Sequence, residues 1–283
     1  MSAFNVILDA IAAGKVVPFI GAEALADVTH PISGAKIPAT SDELIYALTG
    51  GKPMAPRLMY EFPRAAMNIE LKHGRAAINR SLEAVYADNN WSTAALHAWL
   101  ASLNLPYIID INRDTGLQKL WADRPHTLIT GIARIRSGIR YKLFRHDGTG
   151  YAAASEDDNS IDPNAPILFK PCGTPSPEPN WIASDADFVD YITELMGGFA
   201  IPPYVKARRK GLRYLVIATR LNRDTTRMLL SDFIHDAAEP AGWVLMPNAN
   251  AKEKRYCERI GLEIIDADWQ SLAGLALPLE AAA

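Results

Sequence analysis

The stretch Val16-Val17-Pro18-Phe19-Ile20-Gly21 indicates the class of fold, because five apolar residues in a row end at a glycine. A run of this length and composition predicts a strand that is buried on both faces. The glycine predicts a tight turn directly after the strand. Strands buried in this way belong to parallel sheets with helices packed above and below, so the stretch favours an α/β protein.

The sequence around this stretch repeats the pairing of a short apolar strand with a helix. Further strands are predicted at 106–111, 167–169, 214–218, 243–246 and 262–265. Two helices carry clear start signals, since Thr40 with Glu43 forms a capping-box pattern and Ser184 precedes another helix. The repeated strand–helix units favour a doubly wound, mostly parallel Rossmann-like sheet with helices on both faces.

One segment departs from this alternation. Residues 126–165 contain two β-type runs, at 127–135 and 139–144, and a polar stretch at 155–164 that is typical of an exposed loop. We therefore predict a single α/β domain over residues 1–283, with 126–165 as a small inserted segment.

Composition excludes several classes of function. The net charge of the 283 residues is −3, so no strongly basic field is available to attract nucleic acid. Two cysteines, Cys172 and Cys257, are too few for a disulfide framework or a four-cysteine zinc site. The histidines lack the spacing of metal ligands, and no apolar run is long enough to span a membrane. We expect a cytoplasmic protein that binds no metal, membrane or nucleic acid.

Polar residues follow four of the predicted strands. These segments are Gly21-Ala22-Glu23-Ala24-Leu25, Asp110-Ile111-Asn112-Arg113-Asp114, Lys170-Pro171-Cys172-Gly173 and Ala218-Thr219-Arg220-Leu221. In an open parallel sheet, ligands bind at the carboxyl ends of the strands. The four segments therefore define the predicted binding site.

In this order and spacing the four segments resemble the motifs of the SIR2-like (sirtuin-related) family. That family has Gly-Ala-Gly-x-Ser after its first strand, then Thr-x-Asn-x-Asp, Lys-x-His-Gly and a Gly-Thr-Ser or Gly-Tyr-Ser motif. Asn248 matches a closing asparagine of the family, and His97 matches a histidine in a helix reading His-x-x-Leu. The resemblance covers nearly the whole chain except 126–165.

The resemblance implies a ligand and a set of site residues. Family enzymes cleave the bond between nicotinamide and ribose in NAD, so the implied ligand is NAD or ADP-ribose. The implied catalytic positions are Asn112, Asp114 and Cys172, the last at the position of the family histidine. The implied cofactor-binding residues are Gly21, Ala22, Glu23, Thr219, Arg220 and Asn248.

Several of these positions depart from the family pattern. Cys172 replaces the histidine that acts as a base, and a cysteine is the poorer general base. A cation such as Lys170 would lower the pKa of this thiol, whereas a cysteine that only fills space in the core is the simpler interpretation. Glu23 replaces a glycine where a diphosphate would lie. We hypothesise that Glu23 pairs with Arg220 and closes the pocket; alternatively, Arg220 binds a phosphate.

These departures favour a degenerate, non-catalytic sirtuin-related module, that is, a pseudoenzyme. It would act through weak nucleotide binding, or through a protein partner or self-association, since related chains often carry a fused second domain. The alternative is an NAD hydrolase of a bacterial defence type, which releases nicotinamide and ADP-ribose, as the retained Asn112 and Asp114 suggest. A protein deacylase is the least supported function, because the four-cysteine zinc module is missing.

Overall fold

A computed structural model describes residues 2–103, 105–136, 138–155 and 161–276. Nine of its strands form one central sheet, and two more form a short hairpin. The sheet strands are β1 (Val16–Ile20), β2 (Tyr107–Asp110), β3 (His126–Gly131), β4 (Tyr141–His146), β5 (Tyr151–Ala154), β6 (Ile167–Lys170), β9 (Arg213–Ile217), β10 (Gly242–Leu245) and β11 (Leu262–Ile265). The hairpin strands are β7 (Gly173–Thr174) and β8 (Asn180–Trp181).

Helices occupy most of the remaining described chain. The first half contains α1 (Ala3–Ala12), α2 (Ser41–Leu48), α3 (Pro56–Met59), α4 (Phe62–His73), α5 (Arg75–Tyr86), α6 (Ala95–Ser102) and α7 (Gly116–Leu120). The second half contains α8 (Asp185–Met196), α9 (Pro203–Arg209), α10 (Asp224–Phe233), α11 (Ala251–Arg259) and α12 (Trp269–Ala276). None of the helices in the described residues is long and apolar enough to cross a membrane.

The strand order is β11-β10-β9-β1-β2-β6-β3-β4-β5. From β1 the chain moves to one side of the sheet, and it later returns to add β9, β10 and β11 on the other side. β1 pairs in parallel with both β2 and β9. The point at which the order of strand addition reverses therefore lies between β1 and β9. A crevice at the carboxyl ends of the strands opens at such a switch point.

The predicted doubly wound, Rossmann-like sheet is confirmed by the two apolar layers that cover its faces. Every residue of β1 is buried. Phe19 packs in one core cluster with residues of α8 and α10, among them Tyr191 and Phe233. Ile20 points to the opposite layer and packs with residues of α1 and α6, among them Ile7. Because successive side chains of β1 point to opposite faces of the sheet, this one strand contributes to the apolar core on each face.

A third apolar cluster lies outside the two sheet layers. It joins α2, α4 and α5 to Leu25, which belongs to a short 3-10 helix (Ala22–Leu25) directly after β1. The predicted capping box is confirmed, because the backbone of Glu43 donates to the Thr40 hydroxyl and the Glu43 carboxylate accepts from the Thr40 backbone. This cluster holds α2, α4 and α5 together as a helical cover beside the carboxyl ends of β1 and β2.

The predicted inserted segment, 126–165, contributes three strands to one edge of the central sheet. β3 pairs in parallel with β6, whereas β4 and β5 add to the edge as antiparallel strands. β3 is therefore an integral strand of the sheet, and the β-type runs begin and end a few residues away from the predicted bounds. Of the predicted polar loop at 155–164, residues 156–160 lie outside the described residues.

A buried histidine on β3 makes the stability of this edge sensitive to acid. The Nδ1 atom of His126 donates to the carbonyl oxygen of Arg124 (2.8 Å), and Nε2 accepts from the hydroxyl of Tyr151 (2.7 Å). The ring stacks on that of His146, with centroids 4.7 Å apart. Burial lowers the pKa of His126 to about 4, although the Arg124 carbonyl opposes the shift.

We predict that the unfolding free energy falls as the pH is lowered from about 6.5 to about 4, because the unfolded chain then binds a proton that the folded chain excludes. The loss from this one group is roughly 3 kcal/mol at most. Urea titrations across this pH range would measure it. His126→Asn, which keeps a donor for the Arg124 carbonyl and does not titrate, should show a shallower slope. Equal slopes in the two proteins would contradict the prediction.

Candidate functional site

A cavity of about 410 Å³ opens at the switch point, between the strand ends and the helical cover. This volume is in the range of small-molecule sites in proteins. Six of the sequence-predicted site residues line it: Ala22, Glu23, Asn112, Cys172, Thr219 and Arg220. The beginnings of α2, α4 and α10 supply the other walls. The structure therefore brings together residues that lie as far apart as 22 and 220 in the chain.

The turn after β1 is held by the backbone at the end of β9. The amide of Gly21 donates to the carbonyl of Ile217 (3.2 Å), and the amide of Glu23 donates to the carbonyl of Ala218 (2.9 Å). A Cβ atom on Gly21 would lie 2.1 Å from the Cβ of Thr219. The close approach of Thr219 thus requires glycine at position 21. The amides of Gly21 and Glu23 are thus already bonded within the protein.

A buried ion pair joins the ends of β2 and β6. The Lys170 ammonium lies 2.6 Å from Oδ2 of Asp110, and neither side chain is more than 1% exposed. The other carboxylate oxygen of Asp110 accepts from the backbone amide and from Nδ2 of Asn112, both at 2.9 Å. Because β2 and β6 are parallel neighbours, their last residues meet at the same edge of the sheet.

The side chain of Asn112 is fixed by this arrangement. Its Nδ2 atom donates both to Asp110 and to the carbonyl of Gly21, the latter at 2.9 Å. Both amide protons therefore have protein acceptors. Asn112 lines the cavity, and a ligand would meet a side chain that is held rigidly by two neighbouring strands.

Asp114 lies behind the cavity and not in it. It lines a separate space of about 190 Å³ together with His97, the buried histidine of α6. Its Oδ2 accepts from the amide of Gly116 (2.6 Å) and lies 3.7 Å from Nδ1 of His97. Burial raises the pKa of the Asp114 carboxyl, but the charges of Lys170 and His97 outweigh burial and hold it below its usual value. Asp114 therefore lines a different space from Asn112 and Cys172.

His97, Asp110 and Asp114 offer ligand atoms that lie within 4.8 Å of one another. Their types suit a metal ion, but the Lys170 ammonium is 2.6 Å from Asp110 and 3.9 Å from Asp114. An ammonium so close would repel a divalent cation. Lys170 supplies the positive charge that the two carboxylates need.

Cys172 is a buried thiol with little tendency to ionise. Burial raises its pKa, and the nearby charges of Arg113 and Lys170 do not reverse the effect. The Lys170 ammonium lowers the pKa of this thiol, as hypothesised, but burial and the Asp110 carboxylate, with which Lys170 is paired, outweigh it. Cys172 packs in the main core cluster, as the simpler interpretation expects.

Arg220 does not pair with Glu23. Its Nη2 lies 3.0 Å from Oε2 of Glu253, a fully buried residue in the first turn of α11, and its Nη1 donates to the carbonyl of Pro247 (2.7 Å). The hypothesis of a pocket closed by a Glu23–Arg220 ion pair is therefore wrong. Glu253 is the stronger partner because its second oxygen also accepts from the amide of Leu221 (3.1 Å).

Asn248 does not line this cavity but a separate space lined also by Asp266. Its amide donates to Oδ1 of Asp266 (2.8 Å), and its backbone has a positive φ of 54°. Its carbonyl oxygen accepts from Arg220 at 3.3 Å. Asn248 thus helps to position Arg220 and does not face a ligand in the cavity.

Sequence reasoning missed Arg113, which stands between Asn112 and Asp114 in the sequence and lines the cavity. The side chain is only 6% exposed, and its guanidinium carbon lies 5.2 Å from the centre of the Phe62 ring. Its Nη2 donates to the carbonyl of Ile182, whereas Nε has no hydrogen-bond partner. The available signal was its position, since an arginine directly after a buried strand is expected to face the site at the strand ends.

No protein-family model matches this chain, and no curated protein sequence matches it either. The geometry of the cavity is therefore the basis on which a function is inferred.

We predict that Asp110→Asn and Lys170→Met each destabilise the fold by about 3–5 kcal/mol, because each leaves its partner buried and uncompensated. The double variant should cost less than the sum, with a coupling of about 1–3 kcal/mol, since no unpaired charge remains. Urea unfolding of the four proteins measures the coupling. Additive effects would show that the ion pair does not link β2 to β6 energetically.

Proposed function

We propose that this chain is a degenerate sirtuin-related module that binds NAD or ADP-ribose weakly in the switch-point cavity and does not cleave it. The observation that carries the proposal is the combination of a nucleotide-site location with the absence of the family's histidine base from the described lining residues. The cavity lies where open α/β sheets bind ligands, and Asn112 and Thr219 line it. Cys172, at the position of the family histidine, lines it as a buried thiol with a raised pKa.

The lack of a histidine at the cavity supports a binding function over hydrolysis. Proton transfer near neutral pH works best with a group whose pKa lies near 7, most often a histidine. Among the described residues, no histidine lines the cavity, and His97 is fully buried beside Asp114. The retained Asn112 donates both amide protons to protein oxygens, so it lacks a free proton with which to orient a ribose or a water.

Weak binding follows from the turn after β1. The amides of Gly21 and Glu23 already donate to carbonyls at the end of β9, so a diphosphate would gain few hydrogen bonds there. The Glu23 carboxylate also lines the cavity. At ~4 Å it would repel a phosphate by on the order of 1–4 kcal/mol. A protein partner or self-association remains a prediction from the resemblance alone.

We predict that calorimetry with NAD and with ADP-ribose detects binding at micromolar to millimolar Kd, and that no nicotinamide is released. Ala22→Phe, which places a large side chain in the cavity, should abolish binding. Ala76→Phe adds the same group on an exposed face of α5 and should leave binding unchanged.

Two results would contradict the proposal. Release of nicotinamide above the rate without protein would favour the NAD hydrolase, and Asn112→Ala would then test its role. Failure of both nucleotides to bind would favour a scaffold that acts through a protein partner.

A further inference from the structure

We propose that Arg113 forms a buried anion subsite in the cavity, so that the ligand carries a phosphate or carboxylate group that pairs with this guanidinium. The inference deepens the proposed function and rests on the same cavity. It is carried by the contacts of Arg113 itself, which occupies a position where the motif Thr-x-Asn-x-Asp allows any residue.

Arg113 is a buried cation without a counter-charge. In the described part of the chain it forms no ion pair, and its one hydrogen bond to the protein goes from Nη2 to the carbonyl of Ile182. Nε is buried and unpartnered. A guanidinium has five N–H donors, so most of them lack an acceptor. Burial of an unpaired charge is costly unless a partner arrives.

Two of the other three buried cations in the described residues form ion pairs. Lys170 pairs with Asp110, and Arg140, 4% exposed, pairs with Asp190 at 2.8 Å. Arg209, 5% exposed, forms no ion pair and its Nε is also without a partner, but its Nη1 donates to two carbonyls at the C-terminal end of α10, where the helix dipole places partial negative charge. Only Arg113 among these four lines the cavity.

The surroundings of Arg113 hold it in place for an anion. The guanidinium stacks over the Phe62 ring, which blocks water from one face. The Ile182 carbonyl that accepts from it is fixed in turn, because the Ile182 amide donates to the carbonyl of Cys172 (3.1 Å). A planar guanidinium restrained in this way suits bidentate contact with a carboxylate or phosphate.

The carboxylates of the cavity do not neutralise Arg113. Glu61 accepts from the amide and the hydroxyl of Thr225 at the start of α10, and neither Glu23 nor Asp42 forms an ion pair in the described residues. The guanidinium of Arg113 is therefore left to pair with an anionic group of a ligand in the cavity.

The test compares matched neutral and anionic ligands by calorimetry: adenosine against AMP for the phosphate, and nicotinamide against nicotinate for the carboxylate. Wild-type protein should bind the anionic member of at least one pair about tenfold more tightly. Arg113→Met should abolish that preference and leave the neutral member unchanged. Arg113→Gln, which keeps a donor for the Ile182 carbonyl, gives the same test if the methionine variant does not fold.

The matched control is Arg213→Met, because Arg213 also stacks on an aromatic ring, that of Trp243 at 5.2 Å, but lies at the opposite end of β9 from the cavity. It should keep the anion preference. Equal binding of both members of each pair to wild-type protein would overturn the subsite, as would a preference that survives in Arg113→Met.

The two proposals fail in different ways. If the nucleotides bind but the neutral and anionic members bind equally well in both pairs, nucleotide binding stands and the anion subsite is wrong. If neither nucleotide binds but nicotinate or inorganic phosphate binds in an Arg113-dependent manner, the subsite stands and the nucleotide proposal is wrong.

Discussion

The Lys170–Asp110 ion pair is the contact on which the carboxyl edge of the sheet depends. It joins β6 to β2, and Asp110 then holds Asn112. Asn112 donates to the carbonyl of Gly21 after β1, and the Gly21 amide donates to the carbonyl of Ile217 at the end of β9. One chain of polar contacts thus crosses four adjacent strands. A buried pair of this kind contributes little net stability, but it is costly to break, so it fixes one arrangement of the cavity.

Much of the fold could be predicted from the sequence because its signals are local. The apolar run at 16–20 and the capping box of Thr40 and Glu43 both form where the sequence places them. The arrangement at 126–165 could not be predicted in the same way. Pairing of β3 with β6 joins segments separated by more than thirty residues, and strand order depends on such distant contacts and not on the local pattern.

The location of the candidate site could be predicted from the sequence, but the contacts between its side chains could not. Parallel strands bring their carboxyl ends together, so polar residues after four strands had to converge. The partner of each side chain depends on the whole fold. Arg220 pairs with Glu253 instead of Glu23, Asp114 turns away from the cavity, and the unpaired Arg113 becomes visible only when its surroundings are known. Sequence spacing predicts which residues are neighbours within one strand, whereas these pairings join side chains from different strands, loops and helices.

A crystal structure of the protein grown with NAD would test the central claim most directly, since it reports both the location and the fate of the ligand. We expect intact NAD in the switch-point cavity, with the nicotinamide–ribose bond unbroken and an anionic oxygen within hydrogen-bond distance of Arg113. A cavity that holds ADP-ribose, the product of NAD cleavage, would contradict the proposal that the protein does not cleave NAD. NAD bound elsewhere, or not bound at all, would show that the cavity is not a nucleotide site.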